Sequence, residues 1–124
     1  MTRQISTGPD VIAPDGSEVR ILAISPRGSM AQFLLPAGKI SIAVAHRTVE
    51  ELWVFTLGQG QLWRKNNNFE TIETIVPGLS ISILPDTHFQ FRNDGDEPLI
   101  AFGTTMLPWP GADEAYFVPG KWPT

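Results

Sequence analysis

The chain has 124 residues, a formal net charge of −4 and no cysteine, and these numbers exclude several classes of protein. A length of this order corresponds to a single domain with one core. The nine Lys and Arg residues are scattered along the chain, which argues against a nucleic-acid surface because such a surface needs a basic patch. The absence of cysteine excludes disulfides, thiolate chemistry and zinc sites of the cysteine type.

The distribution of apolar residues bears on membrane insertion and export. No stretch approaches the roughly 18 apolar residues of a membrane span, and residues 1–9 lack the apolar run of a signal peptide. We therefore expect a cytoplasmic protein with no membrane and no nucleic-acid partner.

Eleven Gly and eleven Pro divide the chain into short β-rich runs. No segment has the pattern of a long amphipathic helix. In chain order, the predicted strands cover residues 18–25, 31–35, 39–46, 51–57, 61–65, 71–76, 79–84, 89–93 and 99–105. Eight or nine strands at this spacing are typical of a β-sandwich or a β-barrel.

The two ends of the chain differ in composition. Residues 1–10 are predicted to form a flexible N-terminal arm, residues 11–106 the barrel, and residues 107–124 a C-terminal tail. The tail contains Trp109, Tyr116, Phe117 and Trp122. Because exposing so many large apolar groups to water is costly, we expect the tail to pack on the barrel or on a partner subunit.

Residues 38–60 resemble the first sequence motif of the cupin superfamily. That motif runs Gly, five residues, His-x-His, four residues, Glu, six residues and Gly. At these spacings the chain has Gly38, Val44-Ala45-His46, Glu51 and Gly58. The resemblance therefore places His46 and Glu51 at two positions where cupins carry functional side chains.

The second cupin motif resembles residues 84–93. It usually reads Pro-x-Gly-x-x-His with Asn four residues later, and the chain has Leu84-Pro85-Asp86-Thr87-His88-Phe89 and then Asn93 in the same register. The two motifs together span about half of the chain. The resemblance implies an all-β cupin fold, a double-stranded β-helix or jelly-roll barrel, with an aromatic-rich C-terminal tail.

The resemblance also bears on cofactors, because many cupins hold a divalent iron, manganese, nickel, copper or zinc ion with three His and one Glu that face into the barrel. Carried over to this sequence, the four ligand positions are Val44, His46, Glu51 and Phe89. Two of these side chains are apolar and cannot coordinate a metal ion. We therefore predict a degenerate site, with either no cofactor or a weakly held divalent metal ion.

His88 lies one residue before the expected ligand position. In a regular strand, Phe89 then points into the barrel and His88 points out. A bulge after the Pro85-Asp86 turn is the alternative, because bulges occur at barrel rims and re-aim side chains. His88 would then join His46 and Glu51 in a site with two histidines and one carboxylate.

Aromatic and apolar residues share the predicted inward face of the barrel. The predicted strand at 39–46 places Ile40, Ile42, Val44 and His46 on one face. The other predicted pocket residues are Trp53, Phe55, Phe89 and Phe91. This face is either plain core packing or the lining of a pocket for a small molecule. A carboxylate at Glu51 would need a partner there, namely His46, an arginine, a metal ion or a ligand.

Three hypotheses about function remain open from the sequence. The first is binding of a small molecule in the barrel, with His46 and Glu51 orienting it. The second is a metal-dependent oxygenase, isomerase or decarboxylase with the ion held by His46, Glu51 and His88. The third is a metal-free epimerase or isomerase in which His46 is the base and Tyr116 the acid. The resemblance also implies a homodimer, and the fold alone does not choose among the activities.

Overall fold

Eleven strands form this protein, whose computed structural model describes residues 1–124. The strands are β1 (Val11–Ile12), β2 (Glu18–Ser25), β3 (Gly28–Leu35), β4 (Val44–His46), β5 (Glu50–Leu57), β6 (Gly60–Lys65), β7 (Glu70–Ile75), β8 (Ser80–Ile83), β9 (His88–Asn93), β10 (Leu99–Met106) and β11 (Ala115–Phe117). A short 3-10 turn, Ala112–Glu114, is the one helical element. No helix is both long and apolar enough to cross a lipid bilayer.

The strands form two antiparallel sheets. The first has the order β1-β2-β3-β10-β5-β8, and the second has the order β11-β4-β9-β6-β7. Strands distant in sequence are neighbours in both sheets, since β10 lies between β3 and β5 and β9 lies between β4 and β6. The all-β jelly-roll architecture predicted from the sequence is confirmed.

Alternation of side chains along β5 shows how the sequence forms the core. Glu51, Trp53 and Phe55 are buried, whereas the intervening residues are exposed, as the period of two in a strand requires. One hydrophobic cluster fills the barrel: Leu35, Val44, Trp53, Phe55, Leu62, Ile75, Ile81, Ile83, Phe89, Phe91, Leu99 and Ala101.

The predicted strand at 39–46 is shorter in the structure. Only Val44–His46 is a strand, and Ile40 makes an isolated bridge to Arg92. The hydroxyl of Ser41, fully buried, accepts a hydrogen bond from the backbone N–H of Phe91 at 3.0 Å. Because Ser41 turns inward to make that bond, Ile42 is 40% exposed, and its predicted place on the inward face is wrong.

Two turns show the backbone requirements behind the motif spacing. Gly58 has φ = 89°, and a Cβ atom there would lie 2.7 Å from the carbonyl oxygen of Pro98, so this turn requires glycine. Asp86 has φ = 59° and occupies the position of the glycine in the second motif. Asp is one of the few other residues that adopt this left-handed conformation.

The N-terminal segment is attached to β2. The guanidinium of Arg20 donates to the carbonyl oxygens of Ser6 at 3.1 Å and Thr7 at 3.0 Å. The carboxylate of Asp10 accepts from the backbone N–H of Ile21 at 2.7 Å. Residues 6–10 of the predicted flexible arm are thus hydrogen-bonded to β2, because two charged side chains bond to backbone groups across the two segments.

The C-terminal tail packs on its own barrel. Strand β11 pairs with β4 at the edge of the second sheet. Further along, the side-chain amide of Gln90 donates to the carbonyl oxygen of Trp122 at 2.8 Å and accepts from its N–H at 2.9 Å. The guanidinium of Arg92 lies 4.7 Å from the centre of the Trp122 ring. These contacts cover the second sheet with the last residues of the chain.

Candidate functional site

A cavity of about 530 Å³ opens into the barrel, bounded by residues of both sheets, of the segment around β1 and of the tail. Its walls are mostly apolar. Four aromatic residues line it, namely Phe33, Trp53, Phe89 and Trp109. Besides the two tryptophans, five residues with polar side chains line it, namely Asp15, Ser29, His46, Glu51 and Thr105.

Trp53 lies at the centre of the aromatic wall. Its ring stacks on Phe33 with 4.8 Å between centroids and meets Phe55, Phe89 and Phe91 edge to face at 6.0, 5.8 and 5.5 Å. A Cβ atom at Gly103 would lie 2.7 Å from the ring of Phe33 and 2.8 Å from that of Trp53. The absence of a side chain on β10 at this point therefore makes room for the stack.

The predicted pocket residues divide into two groups. Val44, Trp53 and Phe89 line the cavity. Phe55 and Phe91 do not line it but belong to the hydrophobic core, where their rings contact Trp53. Three of the predicted pocket residues thus line a cavity, and the other two are packed in the core.

Glu51 is 2% exposed and has one bonded oxygen. Its Oε2 accepts a hydrogen bond from Nε1 of Trp53 at 2.7 Å, while Oε1 lies 3.9 Å from Nδ1 of His46, beyond hydrogen-bond distance. Burial raises the pKa of Glu51 to about 8, and the negative charges of Asp15 and Glu114 add to the effect. At neutral pH the side chain is therefore mainly a neutral carboxylic acid.

His46 has the opposite shift. Burial lowers its pKa to about 4, although the nearby Glu114 carboxylate opposes this. Its ring meets Phe89 and Trp109 edge to face at 5.2 and 4.9 Å, and Nδ1 has no hydrogen-bond partner. At neutral pH His46 and Glu51 are thus a neutral imidazole and a neutral acid side by side, rather than an ion pair.

Asp15 is a cavity residue that the sequence analysis missed. Its Oδ1 accepts hydrogen bonds from the backbone N–H of Ser17 at 2.9 Å and from the Ser17 hydroxyl at 2.6 Å. Burial raises the pKa of Asp15 despite these bonds. The Asp-x-Ser spacing predicts such a local turn, but nothing local indicates that the turn is buried against a cavity.

The tail forms one side of the cavity. The backbone N–H of Trp109 donates to Oγ of Ser29 at 3.0 Å, and this hydroxyl is in turn hydrogen-bonded to Thr105. The carboxylate of Glu114 accepts from the backbone N–H and the hydroxyl of Thr48, both at 2.6 Å. These bonds hold the tail against β3 and against the connection between β4 and β5.

His88 does not join His46 and Glu51. Strands β6 and β9 pair without interruption from Lys65 opposite His88 to Gly60 opposite Asn93, so the bulge that would turn His88 inward does not form. Phe89 points into the barrel, and His88 lines a separate polar groove with Lys65. The predicted grouping of His46, Glu51 and His88 is therefore wrong.

The side chains present do not fit the metal ion that the cupin resemblance implies. No group of three or more His, Asp or Glu residues lies close enough together to hold a metal. Val44 and Phe89, at the two other ligand positions, are buried and contribute only apolar surface.

Tyr116 does not face His46 either. On β11 it lies opposite Ala45, whereas Ala115 lies opposite His46. Adjacent residues of a strand point to opposite faces, and Ala115, not Tyr116, lines the cavity. The hydroxyl of Tyr116 donates to Asp86 at 2.8 Å. The predicted acid–base pair of Tyr116 and His46 is therefore not assembled.

Comparison with known proteins shows the fold and nothing finer. No protein-family model matches the sequence, and no curated protein matches it. Among solved structures, the chain is similar to the capsular polysaccharide assembling protein CapF from Staphylococcus aureus, with a TM-score of 0.73 and 17% identity over 94% of this chain and 35% of CapF. It is also similar to a recombinant oxalate oxidase in complex with glycolate, with a TM-score of 0.76 and 15% identity over 94% of this chain and 62% of the oxidase.

A third similar structure is about as long as this chain. It is an uncharacterized conserved protein with a double-stranded β-helix domain from Klebsiella pneumoniae, with a TM-score of 0.65 and 15% identity over 96% of this chain and 91% of that protein. The chain spans only about a third of the length of CapF. Together these similarities show that the chain has the cupin-type double-stranded β-helix fold.

Proposed function

We propose that this protein with the cupin-type fold binds a small organic molecule inside its barrel. The observation that carries the proposal is the cavity of about 530 Å³ with apolar walls and polar atoms at its surface. Small-molecule sites typically have volumes of roughly 300–1,000 Å³, mostly apolar linings and a few polar groups that fix orientation.

The state of the polar atoms supports the proposal. Nδ1 of His46 is buried without a hydrogen-bond partner, and Oε1 of Glu51 has none within bonding distance. A buried polar group left unpaired costs about 1–3 kcal/mol. A ligand that bonds to Nδ1 of His46 recovers that free energy, and Oε1 of Glu51 offers it a second polar contact. The body of the ligand displaces water from the aromatic walls.

Proteins of similar structure provide a second line of support. Oxalate oxidase has been solved with glycolate, and CapF has been solved with the inhibitor 3-isopropenyl-tropolone. Both are small organic molecules bound to proteins that contain this fold. For the present chain, the homodimer and the cytoplasmic location stay predictions.

A substitution that fills the cavity tests the proposal. Ala31 lines the cavity from β3, so we expect Ala31→Phe to weaken binding of the neutral fluorescent probe N-phenyl-1-naphthylamine by about tenfold or more, which corresponds to about 1.4 kcal/mol. The measurement is a fluorescence titration of the probe with wild-type and variant protein.

Val54→Phe is the matched control for this experiment. Val54 is 38% exposed on the outer face of β5 and does not line the cavity, so the probe should bind this variant as it binds wild type. Thermal unfolding shows that both variants are folded, since overpacking alone costs about 1–3 kcal/mol. Absence of saturable binding by wild type, or unchanged binding by Ala31→Phe, contradicts the proposal.

A further inference from the structure

Apart from His46, the titratable side chains that line the cavity are both acidic, and this asymmetry narrows the class of ligand. Asp15 and Glu51 line the cavity, and no Lys or Arg does. His46 does not supply a positive charge at neutral pH, because burial lowers its pKa to about 4. The protein itself therefore offers no cation to either carboxyl group.

Each of the two carboxyl groups has one oxygen without a donor. In Glu51, Trp53 bonds to Oε2 and leaves Oε1 free. In Asp15, both bonds from Ser17 are made to Oδ1, so Oδ2 accepts none. Glu51 is 2% exposed and Asp15 is 7% exposed. Neither free oxygen is among the fully buried unpaired atoms, so both are accessible to a partner in the cavity. A cationic group placed there would favour the ionised form of each carboxyl group.

On the basis of the proposed function, we infer that the ligand is an organic amine, protonated at its nitrogen and carrying an apolar body. Its N–H groups donate to the free oxygens of Glu51 and Asp15. Its body occupies the apolar part of the cavity.

The aromatic wall favours the same class of ligand. Phe33, Trp53, Phe89 and Trp109 line the cavity that contains the carboxyl groups. A cation within about 6 Å of an aromatic ring centre is attracted by the negative charge of the ring face, by about 0.5–2 kcal/mol. Carboxyl groups and aromatic rings around one space therefore both select a positively charged group.

An anionic ligand is disfavoured by the same residues. A ligand carboxylate would be buried beside Asp15 and Glu51 without a positive side chain, and burial of an unpaired charge costs several kcal/mol. A neutral alcohol can bond to one carboxyl oxygen, but it lacks the charge and the additional N–H donors of an ammonium group. The expected order of affinity is thus amine, then alcohol, then carboxylate.

Three ligands with one phenyl body test the inference. They are 2-phenylethylamine, 2-phenylethanol and 3-phenylpropionate, titrated by calorimetry at one pH and one ionic strength. We expect the amine to bind at least tenfold more tightly than the alcohol and the carboxylate to bind most weakly. Equal affinities, or tighter binding of the carboxylate, overturn the inference.

Neutral variants identify the residues responsible. Glu51→Gln and Asp15→Asn each replace a carboxyl group, which can ionise opposite an ammonium group, by an amide that cannot ionise but still offers an acceptor to Trp53 or to Ser17. Each substitution should lower the affinity for the amine about tenfold and leave the affinity for the alcohol nearly unchanged. Glu73→Gln is the matched control, because Glu73 lies on β7, away from the cavity, and pairs with Arg64 at 3.4 Å. An amine affinity that is unchanged in both Glu51→Gln and Asp15→Asn overturns the inference.

The fluorescent probe separates this inference from the proposed function. If the neutral probe binds wild type and the amine has no advantage over the alcohol, the cavity binds small molecules but the inference about amines is wrong. If neither the probe nor any phenyl compound binds, the proposed function and the inference about amines are both wrong. Circular dichroism of the Glu51→Gln and Asp15→Asn proteins verifies that each is folded before its affinity is compared.

Discussion

Replacement of Trp53 by alanine is expected to lower the free energy of unfolding by about 3–5 kcal/mol, the usual cost of truncating a large buried aromatic residue. Trp53 is 3% exposed, and its ring contacts Phe33, Phe55 and Phe89 among others. The substitution also removes the only hydrogen bond to the carboxyl group of Glu51, which would leave that buried group without a donor.

Urea unfolding of two comparison variants separates these contributions. Leu52→Ala is the control, because Leu52 is adjacent on β5 but 53% exposed, and substitutions at exposed positions usually change stability by less than about 0.5 kcal/mol. Trp53→Phe retains an aromatic ring and removes the N–H donor. Its decrease in the free energy of unfolding should therefore lie between those of Leu52→Ala and Trp53→Ala. Equal losses for Trp53→Ala and Leu52→Ala would show that Trp53 does not organise the core.

Strand β5 also illustrates what the sequence alone can predict. Its alternation identifies Glu51, Trp53 and Phe55 as inward residues, because side-chain direction in a regular strand depends only on position along the chain. The turn at Gly58 is predictable for a similar reason, since the glycine requirement is local. Turns and alternation recur along the chain, and for this reason the all-β barrel was predicted correctly.

Features that depend on contacts between distant segments were not predictable in the same way. Ser41 turns inward to bond to the backbone of Phe91, fifty residues later, and this contact exposes Ile42 against the predicted alternation. Asp15 is predictable as a turn residue but not as a cavity residue, because its burial depends on how the β1 segment packs across the barrel. The placement of Tyr116 depends likewise on the pairing of β11 with β4.

The direction of the His88 side chain is intermediate between the features that the sequence predicts and those that it does not. The period of two predicts that His88 points out when Phe89 points in, and the structure has this arrangement. The alternative required a bulge, which is an irregularity that sequence patterns indicate poorly. Continuous pairing of β9 with β6 shows that the regular strand forms. Two residues of the predicted metal site, His46 and Glu51, therefore lie together, and the third, His88, lies apart from them.

Because burial shifts the pKa values of Glu51 and His46 in opposite directions, the stability of the ligand-free protein should fall as pH rises from 6.5 to 8. The pKa of Glu51 is about 8 in the folded protein against an ordinary 4.5, so between these values the folded state binds more protons and stability declines with rising pH. The pKa of His46 is about 4 against an ordinary 6.5, so its contribution is lost as pH falls through that range and opposes the effect of Glu51 only below pH 6.5.

Above pH 6.5 the effect of Glu51 therefore meets little opposition from His46, because most of the unfolded histidine is already deprotonated there. Its slope is about 1.4 kcal/mol per pH unit while the folded side chain stays protonated and falls to half of that at pH 8, which gives a loss of about 1.5 kcal/mol between pH 6.5 and 8. Urea unfolding at these two pH values measures the loss, and Glu51→Gln should reduce it by the contribution of Glu51 because an amide does not titrate. Any loss contributed by Asp15, whose pKa burial also raises, remains in this variant. Glu73→Gln, the same change at a half-buried position outside the cavity, should retain the full loss. A wild-type protein equally stable at both pH values, or a Glu51→Gln protein with the full loss, would show that the carboxyl group is not held neutral by burial. The prediction that Glu51 is uncharged in the cavity at neutral pH would then be wrong, whatever ligand the cavity binds.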